Sequence, residues 1–193
     1  MDTVRFLFRQ MVSDGIEPDI FSLNSMVKGY VLSLHVNDAL RVFHQMGVVY
    51  HCRPNACTYD YLIHGLCAQG RTDNARELCE EMKSKGFVPS GKSYNSLVNA
   101  LALGGEVDEG LKFLWEMVEG RSSADFITYR TVLDEMCRRG SVGEAVKLLK
   151  EFRERDLVDG HAYRKLLYVI EDDFGHSTEL SRFRYCFVLW NLS

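Results

Sequence analysis

The sequence predicts an all-α protein built by repetition, and three observations carry that expectation. A Ser/Thr-x-polar start places its polar residue at Asn24, Asp60, Asn95 and Arg130, in steps of 36, 35 and 35 residues. Small residues recur at Ala39, Ala75, Gly110 and Ala145 with the same steps of 36, 35 and 35. Larger side chains follow at Met11, Met46, Met82, Met117 and Phe152, in steps of 35, 36, 35 and 35. Three unrelated residue classes that hold one period mark a stack of supersecondary units, each too small to bury its own apolar faces.

Each unit reads as helix, turn, helix. Over 58–68, Tyr59, Leu62, Ile63 and Leu66 form the i, i+3, i+4, i+7 stripe of an amphipathic helix, with Thr58 as its expected N-cap. Gly70 ends that helix, as Gly105 and Gly140 do in their own units. Asp73 then suits the positive end of a second helix, which sets Ala75, Leu78, Cys79 and Met82 on one face. It stops at Lys85-Gly86, before Pro89; Pro18 and Pro54 mark earlier unit ends. The small residue at Ala39, Ala75, Gly110 and Ala145 lets the second helix approach its neighbour closely. Antiparallel pairs of this kind stack into a solenoid, of either twist.

The array is expected over 3–175. Residues 3–19 match only a second helix, full units cover 20–55, 56–90, 91–125 and 126–159, and a partial unit covers 160–175 with Tyr163 in the place of Tyr59. Residues 176–193 form a divergent tail that leaves the pattern.

Composition restricts the function. The 193 residues are 46% hydrophobic and 26% charged, ordinary for a folded chain, and the net charge of −4 argues against affinity resting on phosphate neutralisation alone. Cys52, Cys57, Cys67, Cys79, Cys137 and Cys186 contain no Cys-x-x-Cys pair and are expected to be small buried apolar residues in a reducing compartment. His51, Cys52, Cys57 and His64 match no zinc spacing, and Cys67 and Cys137 fall two periods apart as packing residues, so neither metal nor cofactor is expected. No apolar run approaches the roughly 18 residues that span a bilayer, and no transit segment is visible.

The units resemble the pentatricopeptide repeat. The likeness lies in Thr58-Tyr59-Asp60-Tyr61-Leu62-Ile63-His64-Gly65-Leu66-Cys67, in Gly70-Arg71-Thr72-Asp73-Asn74-Ala75, and in Glu80-Glu81-Met82-Lys83-Ser84-Lys85-Gly86-Phe87-Val88-Pro89. The 34-residue tetratricopeptide signature Trp-x-x-Leu-Gly-x-x-Tyr is absent. The resemblance implies a right-handed α-solenoid of stacked antiparallel helix pairs. It further implies that first helices line a groove for single-stranded RNA, reading one base per unit with two or three side chains.

By that resemblance the base-reading pairs are Asn24 with Asn55, Asp60 with Ser90, Asn95 with Asp125, and Arg130 with Asp159. Base-stacking positions are Phe21, Cys57, Lys92 and Ile127. Asn95 with Asp125 is similar to a uracil-preferring pair and Asn24 with Asn55 to a pyrimidine-preferring pair. The expected site is pyrimidine, unassigned, uracil, unassigned, from 5′ to 3′. Mitochondrion or chloroplast is the compartment the resemblance implies, with RNA processing, stability or translation as the role and other RNA-processing proteins as possible partners.

Catalysis is not expected. Glu80-Glu81 reads as a solvated helix face, and Glu171-Asp172-Asp173 has no nucleophile or Gly-rich loop beside it. A nucleobase deaminase needs His-x-Glu, which His161-Ala162-Tyr163 and His176-Ser177-Thr178 both lack. The competing reading is a protein-interaction solenoid, or a truncated array with little RNA affinity, and the acidic balance favours it.

Overall fold

The computed structural model describes residues 2–174, so the expected tail 176–193 and Cys186 lie outside the described residues. Among the described residues there are ten α-helices and no strand. The chain divides into two compact units at the Ala100–Leu101 bond. The first holds α1 (Asp2–Ser13), α2 (Ile20–Leu32), α3 (Val36–Val48), α4 (Ala56–Ala68), α5 (Thr72–Ser84) and most of α6 (Gly91–Leu103). The second holds the end of α6, then α7 (Val107–Glu119), α8 (Phe126–Arg138), α9 (Val142–Glu154) and α10 (Gly160–Phe174).

The turns explain the antiparallel pairing. Gly70 sits at φ +67°, Gly105 at +88° and Gly140 at +83°, the left-handed conformation in which a C-terminal motif satisfies the last carbonyls. In the α4–α5 turn, Arg71 N–H reaches Leu66 O at 3.0 Å and Gly70 N–H reaches Cys67 O at 3.0 Å. The α2–α3 turn makes the same bonds, His35 N–H to Tyr30 O and Leu34 N–H to Val31 O. There a leucine, Leu34, takes the left-handed position at φ +61°.

Within the first unit, α2 packs on α3 and α4, α3 on α4, and α4 on α5; within the second, α8 packs on α7, α9 and α10, and α9 on α10. In the first unit α2 therefore touches its own partner α3 and the next first helix α4, and in the second α8 does the same with α9 and α10. Of the expected periodic residues, Met46, Met82 and Phe152 are 0% exposed and Met117 1%, while Met11 is only partly buried. Ala39, Ala75 and Ala145 are also fully buried. Full burial of one such large side chain contributes about 1.5–3 kcal/mol. Tyr59 is enclosed too, with its ring edge-to-face on Phe43 at 5.2 Å.

Two expectations need correction. The N-cap of α4 is Asn55, not Thr58: Asn55 accepts the Thr58 N–H and Thr58 returns its hydroxyl to the Asn55 N–H, a reciprocal capping box. The helix begins at Ala56, ahead of the apolar stripe, because the stripe records burial and not backbone hydrogen bonding. Nor are all the cysteines buried. Cys79 and Cys137 are, but Cys57 is exposed and Cys52 only partly covered, because Cys57 stands on the outward side of the first turn of α4. Burial pushes the Cys67 thiol up to about 12 and that of Cys137 to about 11.

Candidate nucleic-acid interface

The first turns of the first helices carry the candidate site. Cap residues precede them at Asp19, Asn55, Ser90, Asp125 and Asp159, each accepting a backbone N–H of the helix it starts. Four of these, Asn55, Ser90, Asp125 and Asp159, are the second members of the expected base-reading pairs. The capping requirement thus fixes the backbone position of half the candidate residues.

Asn24 and Asn55 are brought together. The Asn24 amide nitrogen donates to Asn55 Oδ1 at 3.2 Å, and the Thr58 hydroxyl donates to Asn24 Oδ1 at 2.7 Å. An asparagine amide has two N–H donors and two acceptor lone pairs. These bonds use one of each and leave one donor and one acceptor on the Asn24 amide.

Asp60 and Ser90 also meet, in a different way. Asp60 Oδ1 accepts the Ser90 backbone N–H at 3.0 Å and the Ser93 hydroxyl at 2.6 Å. The carboxylate closes off the start of α6, where the Ser90 cap bond to Ser93 N–H is long, at 3.3 Å.

Arg130 and Asp159 are occupied separately. Arg130 Nε donates to Asp134 at 3.3 Å, one turn along α8, while Asp159 accepts the Ala162 N–H at 2.7 Å. That backbone donor holds the Asp159 carboxyl below its usual range. Asn95 is half-buried near the start of α6, and Asp125 caps α8 through the Thr128 N–H at 2.8 Å.

The four expected stacking positions are all exposed. Phe21 is 77% exposed and Ile127 65%, apolar side chains held open to solvent, and Cys57 and Lys92 are exposed in the same register. One group escaped the sequence reading: His161, Arg164, Lys165 and Tyr168 on α10 line one cleft with Phe126 and Arg130. Tyr163 in the place of Tyr59 was the available signal, since it sets Arg164 where Asp60 stands in its unit.

Helix pairs of this length, capped at a constant register beneath a row of polar first-turn residues, define a helical-repeat protein. Models of the PPR repeat family match residues 18–67 and 54–103, and models of the PPR repeat match 92–121 and 122–153. The chain belongs to the PPR, or pentatricopeptide repeat, family.

It is 80% identical over 89 residues to the pentatricopeptide repeat-containing protein At2g27800, mitochondrial, of Arabidopsis thaliana, a match covering 46% of this chain and 20% of that protein. A second Arabidopsis thaliana relative, At3g07290, also named mitochondrial, is 42% identical over 62 residues, 32% of this chain and 7% of its own. The name of another, At3g09650, is chloroplastic. The chain spans about a fifth or less of the length of the first two.

Among solved structures, the maize pentatricopeptide repeat protein PPR10 in complex with an 18-nt psaJ RNA element superposes with a TM-score of 0.64 at 24% identity, over 87% of this chain and 22% of that one. The PPR domain of Arabidopsis thaliana protein-only RNase P 1, in complex with tRNA, gives a TM-score of 0.71 at 18% identity, over 88% and 89%. These likenesses establish the fold.

Proposed function

We propose that this chain binds single-stranded RNA, reading bases with the first-turn polar residues of its first helices. The observation that carries the reading is the state of Asn24. Its bonds to Asn55 and Thr58 orient the amide and leave one donor and one acceptor for a ligand. A pyrimidine edge carries both an acceptor and a donor that can meet them. Fixing the amide beforehand lowers the ordering cost of binding. Exposed Phe21 stands three residues earlier, where a base face can pack on it.

On the same reading, Asn95 with Asp125 takes uracil. Asp60 is chiefly a capping group: it has no donor, and one of its oxygens already serves Ser90 and Ser93. The site offered is pyrimidine, unassigned, uracil, unassigned. Support for a role in organellar RNA processing, stability or translation is the naming of relatives as mitochondrial or chloroplastic.

The test is a titration of labelled RNAs of varied sequence at low and moderate salt. Asn95→Ala is expected to reduce the preference for uracil at one position about fivefold, the worth of roughly one net hydrogen bond, while affinity for a mismatched RNA stays nearly constant. Equal or absent binding across all sequences overturns base reading and favours the protein-interaction solenoid, which the net charge of −4 also suits.

A further inference from the structure

The cleft between α8 and α10, within the second unit, is open, holds about 410 Å³, and is lined by Phe126, Arg130, His161, Arg164, Lys165, Tyr168 and Val169. That volume suits a single nucleotide. Three permanent cations and a histidine converge there in a chain of net charge −4, and no lining residue is acidic.

Two carboxylates lie close and offset part of this charge, on Arg130 and beside His161. Asp134 engages Arg130 through Nε, and Asp159, which faces His161, is committed to capping α10. Arg164 gives its Nε to the Gly160 carbonyl at 3.1 Å, which anchors the guanidinium and keeps its terminal amino groups for another acceptor. Tyr168, 65% exposed, supplies an aromatic face beside these cations.

Cations that converge beside an open aromatic ring are suited to a phosphodiester with its base attached. We propose that this cleft holds a backbone phosphate of single-stranded RNA between Arg164 and Lys165, with the adjoining base stacked on Tyr168. The assignment rests on the RNA-binding reading above and adds a contact that is blind to sequence.

The experiment uses the full chain with two probes: a labelled single-stranded RNA over a range of salt, and uridine 5′-monophosphate against uridine, followed by NMR shifts. Lys165→Gln is expected to weaken every RNA sequence alike, about three- to tenfold, and to flatten the salt dependence by about 0.7 in log–log slope, the worth of one phosphate contact on a single strand. Tyr168→Ala is expected to cost roughly tenfold. The monophosphate should shift resonances of α8 and α10, uridine should not, and Arg164→Gln should abolish the shifts.

Selective RNA binding that is unchanged in affinity and slope by Lys165→Gln overturns the cleft and spares base reading. Phosphate-dependent shifts without selective RNA binding do the reverse. Silence with both probes removes both.

Discussion

Tyr59 shows how one buried side chain is held by both ring and hydroxyl. Its hydroxyl donates to Glu81 Oε1 at 2.8 Å and accepts from Lys85 Nζ at 2.6 Å, while Lys85 also meets Glu81 at 2.6 Å. The Lys85 hydrogen bond holds the Glu81 carboxyl below its ordinary value, and Glu81 in turn raises Lys85. The native state therefore binds fewer protons at Glu81 than the unfolded chain does. Its contribution is present above the ordinary carboxylate range and is lost as pH falls through the lowered native value. Both charges are about half exposed, so the effect is a fraction of a kcal/mol. Urea midpoints from pH 6 to pH 3 should fall less steeply for Glu81→Gln than for the unaltered chain; parallel curves would contradict the assignment.

Gly65 is set by packing at the same scale. A Cβ there would lie 2.9 Å from Val31 Cγ2 and 3.1 Å from Val36 Cγ2, and both valines are buried. Helix propensity alone would favour a larger residue by under about 1 kcal/mol, and overpacking costs about 1–3 kcal/mol. Gly65→Val is expected to lower stability by roughly 2 kcal/mol in chemical denaturation. Val31→Ala in the same chain should recover part of that loss.

For the elements, ends matter more than middles. Leu34 occupies the conformation that Gly70 occupies in the next turn, at φ +61° against +67°, and its side chain is 67% exposed, so little packing offsets the strain. Leu34→Gly should stabilise the α2–α3 turn by about 1 kcal/mol, read as a raised melting temperature. Leu32→Gly, at the last residue of α2, should do the opposite. Asp125→Ala removes the cap of α8 and is expected to cost about 1 kcal/mol, with hydrogen exchange rising first near Thr128. The apolar stripe revealed these helices, yet it placed the cap of α4 three residues late, at Thr58. Thr58 is in fact buried and Asn55 makes the cap. Periodicity reports which side chains are inside; capping depends on which oxygen faces an orphan N–H.

For the whole molecule, charge bounds how RNA would be held under the proposed function. With a net charge of −4, few phosphates can be neutralised, so the log–log salt slope of RNA binding should lie between about −1 and −3, at about 0.7 for each phosphate contact. A steeper slope would mean that cations outside the α8–α10 cleft dominate.

What the sequence by itself determined is the repeating part. The period, the helix pairs and the buried Met46, Met82, Met117 and Phe152 all follow from backbone geometry acting over a few residues and repeating. Only the tertiary structure decided the rest. Asn24, Thr58 and Asn55 are joined across more than thirty residues, Asp60 is turned to capping α6, Gly65 is pressed by Val31 and Val36, and α10 brings Arg164, Lys165 and Tyr168 beside Arg130. Each depends on how one helix lies against the next, and that is fixed by side-chain packing between residues far apart in the chain.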